Sequence, residues 1–330
     1  MSLIQFNQSD RCEHFSCTER PVSPVVYILL YVCSAALVLL TVCGNLLVII
    51  SVFHFKQLHT PTNMFVLSLA VSDFFIGSLT MPLILIWAIE SCWIFGTHFC
   101  IYFMMTGSFL MSLSIYNIAL IAVDRYLALS NPFLYTNTVS VRNTRVVIVF
   151  DWCLIVAYNV ALFYFNGNFM NYEMCPGECF ISLYEVWSVT DLVYSFVFPL
   201  SVIIIFYTLV FVIAKKHATA IRELNNHTRT KTQKITLHSM KSERKAAKVL
   251  GILVSVFLVC LLPYFIYSFL GNVIELPNEL FQKVFLMLYL NSTINPMIYA
   301  LFYPWFRRCI KIITTLKIFQ RDSAFISVLS

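Results

Sequence analysis

Residues 186–214 read VWSVTDLVYSFVFPLSVIIIFYTLVFVIA, with Lys215 and Lys216 directly after them. At ~1.5 Å rise per residue, a helix of this length crosses the ~30 Å hydrocarbon core of a bilayer. Asp191 is the only acid or base within it. Inserting a carboxylate near the membrane centre costs roughly 2.5–3.5 kcal/mol, and less toward an end. Such a group faces the interior of a bundle and is kept for a purpose. The stretch therefore poses both the fold class and the question of what Asp191 does.

Six further apolar runs share its character, giving spans at residues 25–53, 64–89, 100–129, 146–165, 186–214, 246–270 and 280–303. Hydrophobic residues make up 59% of the 330-residue chain and charged residues 12%, against about 25% charged in a soluble domain. The expected fold is an all-α membrane protein, a seven-transmembrane helix bundle followed by a short amphipathic cytosolic helix. The expected divisions are an extracellular N-terminus at 1–24, the bundle at 25–303, and the amphipathic helix with a cytosolic tail at 304–330. Residues 1–24 carry Arg11 and Arg20 and no apolar core, so they do not read as a signal peptide.

Of 22 Lys and Arg, only Arg11, Arg20 and Lys283 fall on the side of the N-terminus. The positive-inside rule then places the N-terminus outside and the C-terminus in the cytosol. Asn7-Gln8-Ser9 becomes a usable glycosylation site, and the net charge of +6 faces cytosolic lipid rather than nucleic acid. Cys12, Cys17, Cys92, Cys100, Cys175 and Cys179 fall at the outer side, an even six in an oxidising compartment, with fifteen pairings open. Cys33, Cys43, Cys153, Cys260 and Cys309 read as free thiols. No His/Cys pair has metal-ligand spacing, and no nucleophile–base constellation suggests an enzyme.

Three more acids lie in the other spans. Asp73, about ten residues in from the cytosolic side, calls for an interior polar cluster, with Asn45, Ser114, Asn291 and Asn295 as candidate partners. Asp124-Arg125-Tyr126 ends the third span, and Gly107, Met111, Ser114 and Arg125 share one face of it. Gly107 and Arg125 are five turns apart, about 27 Å, which puts Gly107 at the depth of an outer pocket. Asp151 precedes Trp152 in the fourth span and has no evident role. Glu243 opens the sixth span within plausible reach of Arg125, and Pro263 kinks that span into a candidate hinge. After the seventh span, residues 304–308 lead into 309–319, which alternate basic and apolar positions at helical spacing.

Gly44-Asn45, Leu69 to Asp73, Asp124-Arg125-Tyr126, Trp152, Pro199 with Tyr207, Pro263 and Asn295-Pro296-x-x-Tyr299 occur one per successive span. This set resembles the landmark positions of the rhodopsin-like (class A) G-protein-coupled receptors. Asn291-Ser292 leading to Tyr303-x-Trp305-Phe306, and Cys175-Pro-Gly-Glu-Cys179, are similar to the trace amine-associated receptors. The resemblance implies a Cys100–Cys179 disulfide, with Cys175 and Cys92 tying down Cys12 and Cys17 in either order. It implies a sodium-binding cluster at Asp73, Ser114, Asn291 and Asn295, and a connector at Ile115, Pro199 and Phe257. It assigns activation and G-protein coupling to Asp124, Arg125, Tyr126, Phe133, Tyr207, Glu243, Pro263 and Tyr299. It implies a stimulatory, cAMP-raising G protein and the ciliary plasma membrane of olfactory sensory neurons.

Two positions depart from the amine-receptor pattern. Gly107 stands where such receptors usually carry the helix-three aspartate, and Leu261 replaces the tryptophan two residues before the helix-six proline. Some fish members of the family likewise lack the helix-three acid and place one on helix five, where Asp191 lies here. Asp191 is then the expected ammonium anchor, with Ser195 one turn below it and Tyr264, Phe265, Phe285 and Tyr289 as aromatic walls. Gly107 is expected to leave room opposite for an extended ligand, with Met111 beside it. A receptor for a non-amine ligand, favoured by the missing helix-three acid, is the alternative. A transporter would call for paired interrupted helices related by a repeat, which this chain lacks.

Overall fold

The computed structural model describes residues 23–165, 177, 179, 185–225, 231–271 and 278–329, with side chains at 185, 217–225, 231–248, 250, 271 and 278–279 left aside. Seven helices among them are long and apolar enough to cross a membrane. We label them α1 (Pro24–His54), α2 (Pro61–Glu90), α3 (Gly96–Ser130), α4 (Val141–Phe165), α5 (Val186–Lys216), α6 (Gly251–Leu270) and α7 (Leu280–Phe302). A short amphipathic helix, α8 (Pro304–Thr314), follows.

Their starts are set by one recurrent device. Proline occupies the first turn of α1, α2, α8 and the loop helix Pro132–Thr138. Its missing N–H is no loss there, and its fixed φ suits the helix. The Thr60 and Asn131 side chains accept backbone N–H bonds from Asn63 and Leu134 at 3.3 and 3.1 Å, completing two of these caps. At the other end of α7, the Arg307 guanidinium donates to the carbonyls of Ala300 and Leu301 at 3.0 and 2.7 Å. A cation there also meets the negative end of the helix dipole.

The bundle is organised about α3, which packs against α2, α4 and α5 and touches α6. Its length is largely buried, whereas α1, α4 and α5 turn rows of Val, Leu, Ile and Phe outward. That outward belt is what a lipid-facing surface requires. Gly44 allows α1 to approach α7 closely, since a Cβ there would sit 2.8 Å from the Pro296 ring. Two spans carry an internal π-turn, Ile76–Thr80 in α2 and Val193–Val197 in α5. Each lies just before a proline, Pro82 and Pro199, where the α-helical ladder is already interrupted. A turn with one extra residue rotates what lies above it by roughly 100°. Both turns fall below the outer ends of their helices, so they help set which side chains face the bundle there.

Residues 323–328 fold back on the turn that follows α1. Val328 is buried with Phe55, Leu58 and Cys309, His54 Nε2 lies 2.9 Å from Ser323 Oγ, and Lys56 sits 4.1 Å above the Phe325 ring. Burial pushes the Cys309 thiol up to about 11, so it stays protonated. Cys33, Cys43, Cys153 and Cys260 are free with it.

Candidate ligand-binding site and coupling surface

Asp191 is the next-to-last residue of the regular stretch Glu185–Leu192 at the head of α5, directly above the π-turn. Its Oδ1 accepts two hydrogen bonds, from the Ser195 hydroxyl at 2.8 Å and from the Tyr158 hydroxyl of α4 at 3.0 Å. The Tyr158 ring stacks on Tyr194, with centroids 3.6 Å apart. A π-turn leaves a backbone carbonyl without its usual partner, and here the Tyr116 hydroxyl of α3 donates to the Tyr194 carbonyl at 3.0 Å. Three tyrosines from three helices therefore brace the turn beneath the carboxylate. Both donors to Asp191 go to one oxygen.

The expected aromatic residues of α6 and α7 do come together. Tyr264 and Phe285 have centroids 5.6 Å apart, Tyr264 and Phe265 5.3 Å, and Phe285 and Tyr289 5.0 Å. Phe265 stacks at 3.5 Å on Phe196, the neighbour of Ser195, which joins this wall to α5. Met111 is buried on α3. The wall is larger than the sequence suggested, because Trp87, Phe103 and Phe281 extend it edge-to-face and by stacking.

At Gly107 the structure corrects an expectation. The space opposite is filled, not open: the Tyr289 hydroxyl lies where a Cβ on Gly107 would be. Tyr289 is fully buried and its hydroxyl has no hydrogen-bond partner. The missing side chain on α3 thus accommodates α7. The room for an extended ligand has to come from elsewhere.

Deeper in the bundle, Asp73 is completely buried and accepts from Ser114 at 3.3 Å, Ser292 at 2.8 Å and Asn295 at 2.7 Å. Asn45 joins indirectly, donating to the carbonyls of Thr41 and Ser292 at 2.9 and 3.0 Å. Asn291, expected in this cluster, does not touch Asp73, and both its amide atoms are buried without a partner. Ser292, one residue on, makes the contact instead. A carboxylate flanked by two hydroxyls is an oxygen-rich set that fits a small hard cation.

At the end of α3 remote from Cys100, Arg125 Nη2 and Nε donate to Asp124 Oδ2 at 2.6 and 3.1 Å. Thr62 and Tyr135 add bonds of 2.7 and 2.6 Å to the same carboxylate. Burial, and then the Asp124 bond, push the Tyr135 phenol up to about 12, so it remains a donor. Tyr126 packs on Phe206 of α5, and the Tyr207 ring lies against Gly251 of α6. Tyr299 is buried with an unpartnered hydroxyl. Phe133 projects from the loop helix, 79% exposed. The Glu243 side chain lies outside the described residues, so its expected pairing with Arg125 does too. The helix carrying it runs on through Pro263.

At the other face, Cys100 at the head of α3 is bonded to Cys179, with Cα atoms 5.5 Å apart. The Trp93 backbone N–H donates to the Gly177 carbonyl at 2.8 Å, giving the same loop a second hold. Cys92 is also disulfide-bonded. Asn7, Cys12, Cys17, Cys175 and Glu178 lie outside the described residues.

Residues 44–299 match the family model for the 7 transmembrane receptor (rhodopsin family). The chain is 38% identical to trace amine-associated receptor 13c of Danio rerio over 92% of this chain and 89% of that one. It is 36% identical to trace amine-associated receptor 6 of Rattus norvegicus, covering 96% and 93% of the two chains. It is also 36% identical to trace amine-associated receptor 1 of Macaca mulatta, covering 94% and 95%. The chain belongs to the trace amine-associated receptors. It is thus a G-protein-coupled receptor of the plasma membrane, with a small-molecule ligand and a heterotrimeric G protein as partners, and not an enzyme.

For a receptor of this family, several contributors to the site could not be found from sequence. Tyr158 is one aromatic residue among many in an apolar span, and no spacing rule links it to Asp191, 33 positions away. Ser292 was visible in the helix-seven motif, but its orientation toward Asp73 depends on how α7 is rotated. Asp151 does not join Asp191. It opens instead onto a groove between α4 and α5.

Proposed function

We propose that this receptor responds to small amines and that Asp191 holds the ligand's ammonium group. The observation that carries the reading is a carboxylate in the outer half of a spanning helix whose two donors both go to Oδ1. Oδ2 remains to pair with a cation. A buried carboxylate is costly unless paired, so a ligand cation recovers energy there that a neutral ligand does not. The neighbouring aromatic wall of Tyr264, Phe265 and Phe285 suits an ammonium group, at ~0.5–2 kcal/mol per cation–π contact. Relatives carrying the name trace amine-associated receptor support the same ligand class.

In this reading Tyr158 and Ser195 hold the carboxylate in place while the ammonium approaches Oδ2. The pull on α5 passes through the braced π-turn to Pro199, Ile115 and Phe257, and then to the Asp124–Arg125 pair. Release of Arg125 exposes it to a stimulatory G protein, which contacts Phe133, Tyr126 and Tyr207 and raises cAMP, with Glu243, Pro263 and Tyr299 taking part in the switch. Asp73, Ser114, Ser292 and Asn295 hold a sodium ion in the resting form. The N-terminus is extracellular and glycosylated at Asn7, Cys92 and Cys175 tie down Cys12 and Cys17, and the receptor works in the ciliary membrane of olfactory sensory neurons.

One observation favours a second reading. The Tyr158–Asp191 bond joins α4 to α5, so Asp191 can act as a strut in a receptor for a neutral ligand. Asp191→Asn separates the two, because the amide oxygen still accepts from Tyr158 and Ser195 but carries no charge. An amine panel in a cAMP assay, run on wild type and Asp191→Asn with surface expression matched, is the test. Loss of amine responses supports the anchor, and unchanged amine potency sinks it.

A further inference from the structure

Asp151 is a further carboxylate within the membrane, and the amine-binding mechanism does not use it. It lies five residues past the start of the apolar run 146–165, about 7.5 Å at 1.5 Å per residue, so it is below the headgroups. Its neighbour Trp152 points inward and donates to Ser68 of α2 at 2.9 Å. One residue back, Asp151 is turned by about 100° toward α5. Its Oδ2 is buried and has no hydrogen-bond partner. Among the described residues it makes no ion pair. An unpaired carboxylate at this depth is the arrangement membrane proteins normally avoid.

The space beside it is a cavity of about 850 Å³ between α4 and α5, floored by Tyr116 of α3. That is a size typical of small-ligand sites. Tyr158 and Tyr194 form one wall as a stacked pair, and Tyr158 is the residue that holds Asp191 from the other side. The rim is apolar and turned outward, with Leu154 49% and Phe198 56% exposed. The groove therefore opens where the bundle meets lipid.

We propose that this groove is a second cation site, entered from the bilayer, for a lipophilic primary ammonium whose charge pairs with Asp151. Charge complementarity selects the headgroup: among the described residues Asp151 supplies the only charge lining the groove, and it is negative. Three tyrosines, Tyr116, Tyr158 and Tyr194, offer ring faces to an ammonium and hydroxyls to its N–H groups. The outward apolar rim at Leu154 and Phe198 takes the tail. Aminophospholipid headgroups stay at the membrane surface, so a single-chain amine dissolved in the bilayer is the occupant that reaches this depth. The site does not depend on Asp191 binding an amine.

The test uses the full-length receptor in phosphatidylcholine nanodiscs, with n-octylammonium as the probe and n-octanol as its neutral match. Thermal unfolding is followed in wild type and in an Asp191→Asn background, which removes the charge of the upper pocket. In that background octylammonium should raise Tm saturably and octanol should not. Adding Asp151→Asn, or Leu154→Trp to fill the groove from its lipid-exposed rim, should raise the half-saturating concentration about tenfold or more. Leu154 faces outward, so its variant keeps the test valid if Asp151→Asn folds poorly. Identical octylammonium and octanol curves in the Asp191→Asn background overturn the site. So does an unchanged half-saturation in both added variants. Neither result bears on whether Asp191 anchors the receptor's own ligand.

Discussion

Asp73 and Asp191 are both carboxylates inside the bundle, but the protein treats them differently. Asp73 is completely buried and receives three side-chain donors from two helices, spread over both its oxygens. Asp191 is only partly buried and receives two, both on Oδ1. A carboxylate with donors on both oxygens is a structural node, because much of its cost is already offset internally. One with an oxygen to spare, beside a wall of aromatic rings, is still short of a partner. The difference separates a group that holds helices together from one that waits for a ligand.

The sharpest way to break this contrast is to neutralise each acid in turn. Asp191→Asn should raise the half-maximal amine concentration at least about thirtyfold, the scale of losing one partner of a desolvated charge pair. Its Tm without ligand should change little, because both hydrogen bonds can re-form. Asp73→Ala should do the reverse. It orphans the donors of Ser114, Ser292 and Asn295, at about 1–3 kcal/mol for each group left unsatisfied. Thermal unfolding should therefore fall sharply, while amine affinity measured by competition binding stays within about threefold. Equal effects of the two substitutions on stability and affinity would erase the distinction.

Much of this was legible in the sequence, and the rest was not for identifiable reasons. Seven apolar runs of spanning length leave only one fold class open, and landmark pairs such as Asp124-Arg125 and Asn295-Pro296 mark the helices individually. Asp73 was expected to need an interior polar cluster because burial demands it, and Ser114 and Asn295 meet it. Asn291 and Ser292 exchange roles because adjacent helical positions differ by about 100°, and helix rotation is decided by packing. Tyr158 was invisible for a related reason: the π-turn at Val193–Val197 re-aims the end of α5, and nothing in local spacing announces an extra residue in a turn. Gly107 was read as empty space because a sequence shows which side chain is missing but not which neighbour moves in.

That last point gives a smaller but cleaner test. Gly107→Ala would drive a Cβ into the Tyr289 hydroxyl, an overpacking that costs about 1–3 kcal/mol. Tyr289→Phe removes a buried hydroxyl that has no partner, and should be nearly neutral or slightly stabilising alone. In the double variant the nearest remaining ring atom is 3.6 Å from the new Cβ, an ordinary contact. Thermal unfolding should then recover most of the loss. No recovery in the double variant would mean that the backbone of α3, and not the Tyr289 hydroxyl, resists the added carbon.

The smallest expected effect bears most directly on what Asp191 is for. Tyr158→Phe removes one of its two donors and leaves the ring stacked on Tyr194. If Asp191 were a strut between α4 and α5, this bond would be its purpose, and Tyr158→Phe would match Asp191→Ala in lost stability with amine potency unmoved by either. If Asp191 is the anchor, the hydroxyl only steadies the carboxylate. Stability should then fall by about 1 kcal/mol, the net value of a hydrogen bond. The half-maximal amine concentration should rise only about fivefold, because Ser195 still holds Oδ1 and the charge remains. The ratio of the two potency losses, Asp191→Asn over Tyr158→Phe, is the quantity to measure. A ratio well above one places the ligand's dependence on the charge itself, and a ratio near one places it on the α4–α5 link.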